Sequence, residues 1–298
     1  MKRVIERMSW PERAHFGAHT PREKKMNAIP ILKGERTVLI TGASSGIGKA
    51  FAKVFAHHGW NVALTARRQD RLLELSETLK ENNGSRVTII QADLADPQAP
   101  FDIAKELNRN DIHIDALVNN AGYGVPGYFA LTDWRNQQDF LQVLVNAPTH
   151  LCHLFLPGMI KNNYGRIINV ASLNALLPCS PGQTLYAGAK SYIVGLSNTL
   201  AAEAGKHGVH VCAVCPGLTY TEFHDVTGTR DMVSKVPKNQ WMSAQEVSNH
   251  GYRAVMRGDL MCIPGRTTRI MAIVAKILPR KMMVHLMTSQ SKKIRRAE

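Results

Sequence analysis

Tyr186 and Lys190 lie four positions apart, so a helix through this stretch places both side chains on one face. A tyrosine with its ordinary pKa of about 10 is a poor base at neutral pH, and a nearby lysine ammonium lowers that pKa by favouring the phenolate. Tyr186 is therefore predicted to be the general acid in reduction and the general base in oxidation. The alternative for Tyr186 is an aromatic side chain packed on a helix.

A glycine-rich turn separates a strand-like run from a helix-like run in TVLITGASSGIG, residues 37–48. Glycines let the backbone turn tightly and approach a pyrophosphate, which sits at the positive end of the following helix. Serine hydroxyls in the turn can add hydrogen-bond donors. The context predicts a dinucleotide site. Its residues are Gly42, Ser44, Ser45, Gly46, Ile47 and Gly48.

The end of the second strand-like run indicates which dinucleotide binds. A free ribose 2′-hydroxyl calls for an acidic residue about 20 positions beyond the first glycine. This chain has Arg67 and Arg68 there, and Asp70 is expected in the following helix. Arginine suits a 2′-phosphate, so NADP(H) is preferred over NAD(H) as cofactor. The alternative is that both arginines are solvated surface charges.

Seven β-rich runs alternate with helical stretches along the chain. They are TVLI at 37–40, NVALT at 61–65, RVTII at 86–90, DALVN at 115–119, RIINV at 166–170, VHVCAV at 209–214 and LMCIP at 260–264. Continuous apolar strands indicate a parallel sheet covered on both faces. The pattern predicts one doubly wound α/β domain over residues 35–265.

The net charge of +14 belongs mainly to the two ends of the chain. Residues 1–25 carry +4 and residues 266–298 carry +8, whereas the 240 residues between them carry only +2. We therefore expect a basic N-terminal arm over 1–34 and a basic, amphipathic tail over 266–298. Neither end shows a nucleic-acid-binding motif, so nucleic acid is not an expected partner.

The sequence also predicts a cytoplasmic location and no metal site. The basic start is not followed by the apolar stretch of a secretory signal, and no apolar run approaches the about 20 residues of a membrane span. Five cysteines indicate reduced thiols and a cytoplasmic location. Cys212 and Cys215 form a CxxC without a second ligand pair, which favours small core residues over a metal site.

The chain resembles the short-chain dehydrogenase/reductase family, of the TGxxxGIG and YxxxK type, over about residues 35–265. The resemblance rests on TGASSGIG at 41–48, ADL at 92–94, NNAG at 119–122, Asn146, Ser172, YAGAK at 186–190 and PGLTYT at 216–221. It implies a Rossmann-type sheet of seven parallel strands in the order 3-2-1-4-5-6-7. It also implies hydride transfer between a nicotinamide and a carbonyl or secondary alcohol, in a homodimer or homotetramer.

The resemblance also implies roles for matching residues. Ser172 would hydrogen-bond the substrate oxygen, Lys190 would reach the nicotinamide ribose, and Asn146 would hold a water that connects Lys190 to solvent. For Asn146 a polar helix contact is the alternative. Asn119 either contacts the adenosine or braces the sheet, and Thr221 is preferred for a phosphate contact. Cofactor contacts are implied for Asp93, Asn119, Ala121, Gly122, Pro216, Gly217, Thr219 and Thr221.

The variable segment 218–240 offers Tyr220, Phe223, Met232 and Val236 as an apolar substrate lining. Three later pieces resemble a bacterial branch described as DltE-like and, more distantly, membrane-associated long-chain 3-oxoacyl and steroid reductases. The pieces are WMSAQEV at 241–247, LMCIPG at 260–265 and ILPRK at 277–281. They imply a bulky lipophilic carbonyl substrate and peripheral membrane contact. The alternative function is a non-catalytic NADP(H)-binding sensor or scaffold on the same fold.

Overall fold

The computed structural model describes six stretches of the chain, which are residues 36–125, 127–178, 184–223, 236–237, 240–279 and 281–284. The predicted N-terminal arm, most of the variable segment that follows residue 223, and the end of the tail lie outside the described residues.

The strands are short, and those in the middle of the sheet are almost entirely buried. They are β1 Thr37–Thr41, β2 Asn61–Ala66, β3 Val87–Gln91, β4 Ala116–Asn119, β5 Gly165–Val170, β6 Val209–Val214, β7 Thr219–Tyr220, β8 Met242–Ser243 and β9 Met261–Cys262. Seven form one parallel sheet in the order β3-β2-β1-β4-β5-β6-β9, which confirms the predicted sheet. The pair β7–β8, which the sequence analysis did not predict, forms a separate two-stranded sheet.

Helices connect the strands and cover the sheet. They are α1 Gly46–His57, α2 Gln69–Asn83, α3 Ala99–Arg109, α4 Trp134–Leu141, α5 Ala147–Lys161, α6 Tyr186–Ala204, α7 Ala244–Arg257 and α8 Arg266–Ile277. Helix α1 packs against α2 and α7, and α3 packs against α5. Helices α3, α5 and α6 share one apolar cluster with the sheet. The strands are therefore covered as a doubly wound fold requires.

Residues 134–161 run through α4, a π turn over Gln142–Asn146, and α5. By length and composition this stretch could cross a membrane. Its inward side chains, such as Phe140, Leu151 and Met159, are buried in the cluster shared with the sheet. That packing is typical of a core helix.

The predicted C-terminal tail begins as a packed helix. Ala272 of α8, together with Met283 beyond it, contacts Leu173 and Leu177, which follow β5. The first part of the tail therefore lies directly on the segment that leads out of the central sheet.

Cys212 and Cys215 are buried free thiols on and just after β6. Burial raises the pKa of the Cys215 thiol to about 12. A thiol that stays protonated at neutral pH is a weak nucleophile and metal ligand, and both side chains pack as small residues of the core.

Candidate active site

A cavity of about 760 Å³ opens at the carboxyl ends of the central strands. Its wall includes Gly42 after β1, Asn120 after β4, Ala171 after β5 and Pro216 after β6. In a doubly wound sheet, ligands bind at this edge, because the loops that follow parallel strands converge there.

The glycine turn has a backbone that side chains would obstruct. Gly42 and Gly46 have φ angles of 65° and 54°, in the left-handed region. A Cβ on Gly48 would lie 2.3 Å from the carbonyl oxygen of Gly42, so only glycine lets α1 approach the strand this closely. Ser45 precedes α1 without capping it through its side chain. The backbone amides in the first turn of α1 can therefore donate hydrogen bonds to an anion, and the glycine turn fits a dinucleotide pyrophosphate.

Thr41 and Asn120 hold the ends of β1 and β4 together. The Thr41 hydroxyl accepts hydrogen bonds from the amides of Asn120, at 2.9 Å, and Ala121, at 3.0 Å. The Asn120 side chain donates to the carbonyl oxygens of Thr41 and Gly42 at 3.0 and 3.3 Å. Both residues lie inside motifs that the sequence analysis quoted, but it gave neither of them a role.

Asn119 points away from the large cavity into the protein. It is buried, and its Nδ2 donates to Asn169 Oδ1 of β5 at 2.8 Å. Of the two roles considered from the sequence, the structure shows the brace between strands. Ala121 and Gly122 of the same motif do line the cavity.

Arg68 and Arg67 have different surroundings. The Arg68 guanidinium donates to the hydroxyls of Ser44, at 3.1 Å, and Ser45, at 3.0 Å. The Arg67 side chain is 74% exposed, and its Nη1 lies 3.9 Å from Asp93 Oδ2. Both arginines and Asp93 line the cavity. Arg68 is therefore the arginine that the phosphate-binding turn orients, whereas Arg67 is mainly solvated.

Ser172, Tyr186 and Lys190 meet at the inner end of the same cavity. Ser172 follows β5 and Tyr186 is the first residue of α6. Lys190 is buried, donates to the Val170 carbonyl oxygen at 2.8 Å, and has its Nζ 5.8 Å from the centre of the Tyr186 ring. The glycine turn and the predicted proton-transfer pair, Tyr186 and Lys190, therefore line the same cavity.

Burial is the largest influence on the pKa values of Tyr186 and Lys190. It raises the pKa of Tyr186 to about 12, although a hydrogen bond with Ser172 acts in the opposite direction. It lowers the pKa of Lys190 to about 8, opposed by the nearby Cys215. The pKa of Tyr186 therefore shifts upward, opposite to the direction predicted from the sequence. The reason is that desolvation of the buried phenolate outweighs the hydrogen bond with Ser172.

Asn146 does not join the catalytic set, which corrects the sequence prediction. It lies exposed on the π turn, and its Nδ2 donates to Gln142 Oε1 at 3.0 Å. Leu144, two positions earlier, faces the site instead. Gly122 of the cavity wall lies between it and the lysine: a Cβ added to Gly122 would be 3.6 Å from the Leu144 side chain and 3.8 Å from Lys190 Nζ. Two helical positions correspond to about 200° of rotation, so these side chains point in opposite directions.

The segment after β6 closes one side of the cavity. Pro216, Gly217, Thr219 and Thr221 all line it. The Thr219 hydroxyl donates back to the Gly217 carbonyl oxygen at 3.1 Å, whereas a Cβ on Gly46 would lie 3.0 Å from the Thr221 methyl. Thr221 is therefore beside the phosphate-binding turn, where a side-chain contact with a cofactor phosphate requires it to be.

The remaining wall is largely apolar. Phe223 has its ring centre 5.8 Å from that of Tyr186, and Leu173, Leu177 and Met271 also line the cavity. Tyr220 instead stacks on Trp241 with 4.7 Å between ring centres. Of the other predicted lining residues, Val236 is not part of the cavity wall, and Met232 lies outside the described residues.

The sequence and the fold are similar to those of known proteins. A family model described as short chain dehydrogenase matches residues 36–231. Oxidoreductase UcpA of Salmonella typhimurium is 38% identical over 189 residues, 62% of this chain and 70% of that protein. A short-chain dehydrogenase from Sphingobium yanoikuyae in complex with NADPH has a TM-score of 0.72 at 32% identity, over 80% of this chain and 91% of its own.

The bulky-bulky ketone specific alcohol dehydrogenase from Comamonas testosteroni is also similar, with a TM-score of 0.67 at 27% identity over 82% of this chain and 95% of its own. The family model and the two solved structures cover most of the central domain described above. The chain therefore belongs to the short chain dehydrogenase family of oxidoreductases.

Proposed function

We propose that this protein is an NADPH-dependent reductase that acts between a carbonyl and a secondary alcohol. The observation that carries the proposal is the convergence of Ser172, Tyr186 and Lys190 on the cavity that also contains the glycine turn. When bound, NADPH supplies the hydride that reduces the carbonyl carbon. A sensor or scaffold would have no need of a buried tyrosine and lysine at that point.

The residues divide the proton chemistry among them. Tyr186, with a pKa of about 12, keeps its proton at neutral pH and can donate it to the carbonyl oxygen as negative charge develops there. Ser172 orients that oxygen through its hydroxyl. Lys190 holds a buried positive charge close to Tyr186 below about pH 8. The same group serves both directions, since Tyr186 donates the proton in reduction and accepts it in oxidation.

The chain's own residues favour a 2′-phosphorylated cofactor. Arg68 is held over the phosphate-binding turn by Ser44 and Ser45, where it would meet a 2′-phosphate. Asp93 is one of the acidic residues of the cavity wall, and Arg67 lies beside it. The relative from Sphingobium yanoikuyae is in complex with NADPH, which supports this preference. NAD(H) is the alternative cofactor.

We also propose a bulky, lipophilic ketone as substrate. Leu173, Leu177, Phe223 and Met271 provide an apolar wall near Tyr186, and such a wall favours substrates with large apolar groups. The relative from Comamonas testosteroni is named as specific for bulky-bulky ketones.

The decisive experiment measures NADPH oxidation over a panel of aliphatic and aromatic ketones, steroids, acyl thioesters and quinones. Turnover of at least one bulky ketone, abolished in Tyr186→Phe with NADPH binding retained, is expected. Retained turnover in Tyr186→Phe would contradict the role of the tyrosine. Tight NADPH binding without turnover on the whole panel would establish the sensor instead.

A second part of the proposal concerns location, namely that the protein is cytoplasmic with α8 resting on an anionic membrane surface. One face of α8 exposes Ile270, Ile273, Val274 and Ile277, which are between 41% and 76% exposed. The spacing i, i+3, i+4, i+7 makes them a continuous apolar ridge. The sequence has no acidic residue between 260 and 297, so every charged side chain of α8 itself is cationic, as binding to anionic lipid favours.

A further inference from the structure

Glu222 binds two arginines at the rim of the cavity. Its carboxylate accepts from Arg68 Nη1 at 3.0 Å and from Arg71 Nη1 at 2.5 Å, one oxygen for each guanidinium. The two ion pairs lower the pKa of Glu222, the Arg71 bond most. Glu222 and Arg71 lie outside the sequence motifs described above. Because Arg68 also bonds to the phosphate-binding turn, this ion pair is continuous with the proposed cofactor site.

Glu222 lies in a three-residue segment that reaches from one end of the cavity to the other. Thr221, before it, lies beside Gly46 of the phosphate-binding turn. Phe223, after it, has its ring 5.8 Å from that of Tyr186. The Glu222 carboxylate therefore belongs to a segment whose next residue packs on the predicted proton donor.

The charges around Glu222 indicate what can replace it. Two guanidiniums and one carboxylate carry a net charge of +1, and the carboxylate offers each arginine one anionic oxygen. A phosphate monoester carries about −1.5 to −2 at pH 7 and offers three such oxygens. With phosphate and Glu222 both present, two anions would lie side by side. Exchange of one for the other keeps both arginines paired and avoids that repulsion.

We propose that Glu222 is an internal substitute for the cofactor's 2′-phosphate. It holds Arg68 and Arg71 as a preformed anion clamp, and a bound 2′-phosphate displaces it and releases the segment 221–223 beside Tyr186. A cofactor without the 2′-phosphate leaves Glu222 in place. This inference rests on the proposed NADP(H) preference, and it adds Arg71 and Glu222 to the residues that determine cofactor specificity.

The test compares two probes that differ only in the 2′-phosphate: adenosine 2′,5′-bisphosphate and adenosine 5′-monophosphate. Calorimetry on the full chain measures the Kd of each. Glu222→Gln, which removes the competing charge at constant size, is expected to tighten the bisphosphate Kd by about two- to fivefold, the equivalent of one partly exposed ion pair. Arg71→Gln is expected to weaken it by about five- to tenfold. The monophosphate Kd should stay unchanged in both.

Glu74→Gln is the matched control. Glu74 is another carboxylate of α2, paired with Lys49 at 3.5 Å and not part of the cavity wall, so its substitution should leave both Kd values unchanged. Displacement is followed by hydrogen exchange, where the amides of 221–223 should exchange faster with the bisphosphate than with the monophosphate.

An unchanged or weaker bisphosphate Kd in Glu222→Gln would overturn the inference, as would equal exchange with both probes. The wild-type protein separates this failure from that of the cofactor assignment. If the wild type binds the bisphosphate more tightly than the monophosphate, the NADP(H) preference stands whatever Glu222 does. If it does not, both fail.

Discussion

Lys190 Nζ lies 5.8 Å from the centre of the Tyr186 ring, one helical turn along α6. The two side chains share a face because they are four positions apart, and both reach the cavity below the carboxyl end of β5. The Val170 carbonyl oxygen, 2.8 Å away, accepts the lysine's hydrogen bond and holds it there.

The burial of Lys190 makes stability depend on pH. Its folded pKa of about 8 is below the ordinary value of 10.5, so the unfolded chain binds more protons between these values. The free energy of unfolding should therefore gain a contribution from Lys190 as pH rises from about 8 towards 10. Between pH 7.5 and 9.5, wild type should gain about 1–2 kcal/mol relative to Lys190→Met, measured by urea unfolding. Parallel pH curves for the two proteins would contradict this.

The two neighbouring arginines should differ in their effect on cofactor selectivity. Arg68→Ala removes the guanidinium that Ser44 and Ser45 hold, so NADPH should bind about tenfold or more weakly while NADH changes little. Arg67→Ala is the matched variant and should weaken NADPH only about twofold, because its side chain is solvated. Fluorescence titration with both nucleotides checks this. Equal losses of NADPH and NADH binding in Arg68→Ala would contradict the assignment.

Asn146→Ala should leave catalysis almost unchanged. The Asn146 side chain is exposed and donates to Gln142 Oε1, away from the cavity, so kcat and KM should stay within about twofold of wild type. Steady-state kinetics on any ketone that the panel identifies provides the measurement. A loss of a hundredfold or more in kcat would restore Asn146 to the catalytic set.

Gly48→Ala should destabilise the fold. The new methyl would lie 2.3 Å from the Gly42 carbonyl oxygen, so the turn must shift, at about 1–3 kcal/mol or more. Gly195→Ala is the matched control, because a Cβ there meets nothing within 4 Å inside α6, and it should stabilise by about 0.5–1 kcal/mol. Thermal and urea unfolding measure both. Equal effects of the two substitutions would contradict the close approach of α1.

The ridge on α8 should bind anionic vesicles. Ile273→Ser and Ile277→Ser are expected to weaken sedimentation with vesicles of anionic phosphatidylserine and phosphatidylcholine, while pure phosphatidylcholine binds little. Leu131→Ser, an exposed apolar residue outside α8, is the control and should have no effect. Unchanged vesicle binding in the α8 variants would refute the membrane proposal. A change from dimer or tetramer to monomer on light scattering would show that a second copy covers the ridge instead.

Much of the fold could be read from local pattern. Runs of four to six mostly apolar residues, alternating with helical stretches, predict a parallel sheet because both faces must be covered, and each of the seven strands of the large sheet falls on one of these runs. The short pair β7–β8 could not be predicted, because each strand has only two residues and so shows no hydrophobic periodicity. Glycine spacing identified the phosphate-binding turn because φ angles such as that of Gly42 leave few alternatives.

The sequence by itself determined the chemical groups: the YxxxK pair on one helix face, the glycine turn at a helix start, and arginines where an acid would select NAD(H). Only the tertiary structure decided which of them meet. The phase of the π turn directs Leu144 inward and Asn146 outward, and Glu222, 151 residues after Arg71, selects Arg68 over Arg67 as the clamped arginine. Such choices depend on contacts between distant segments, which no local pattern contains.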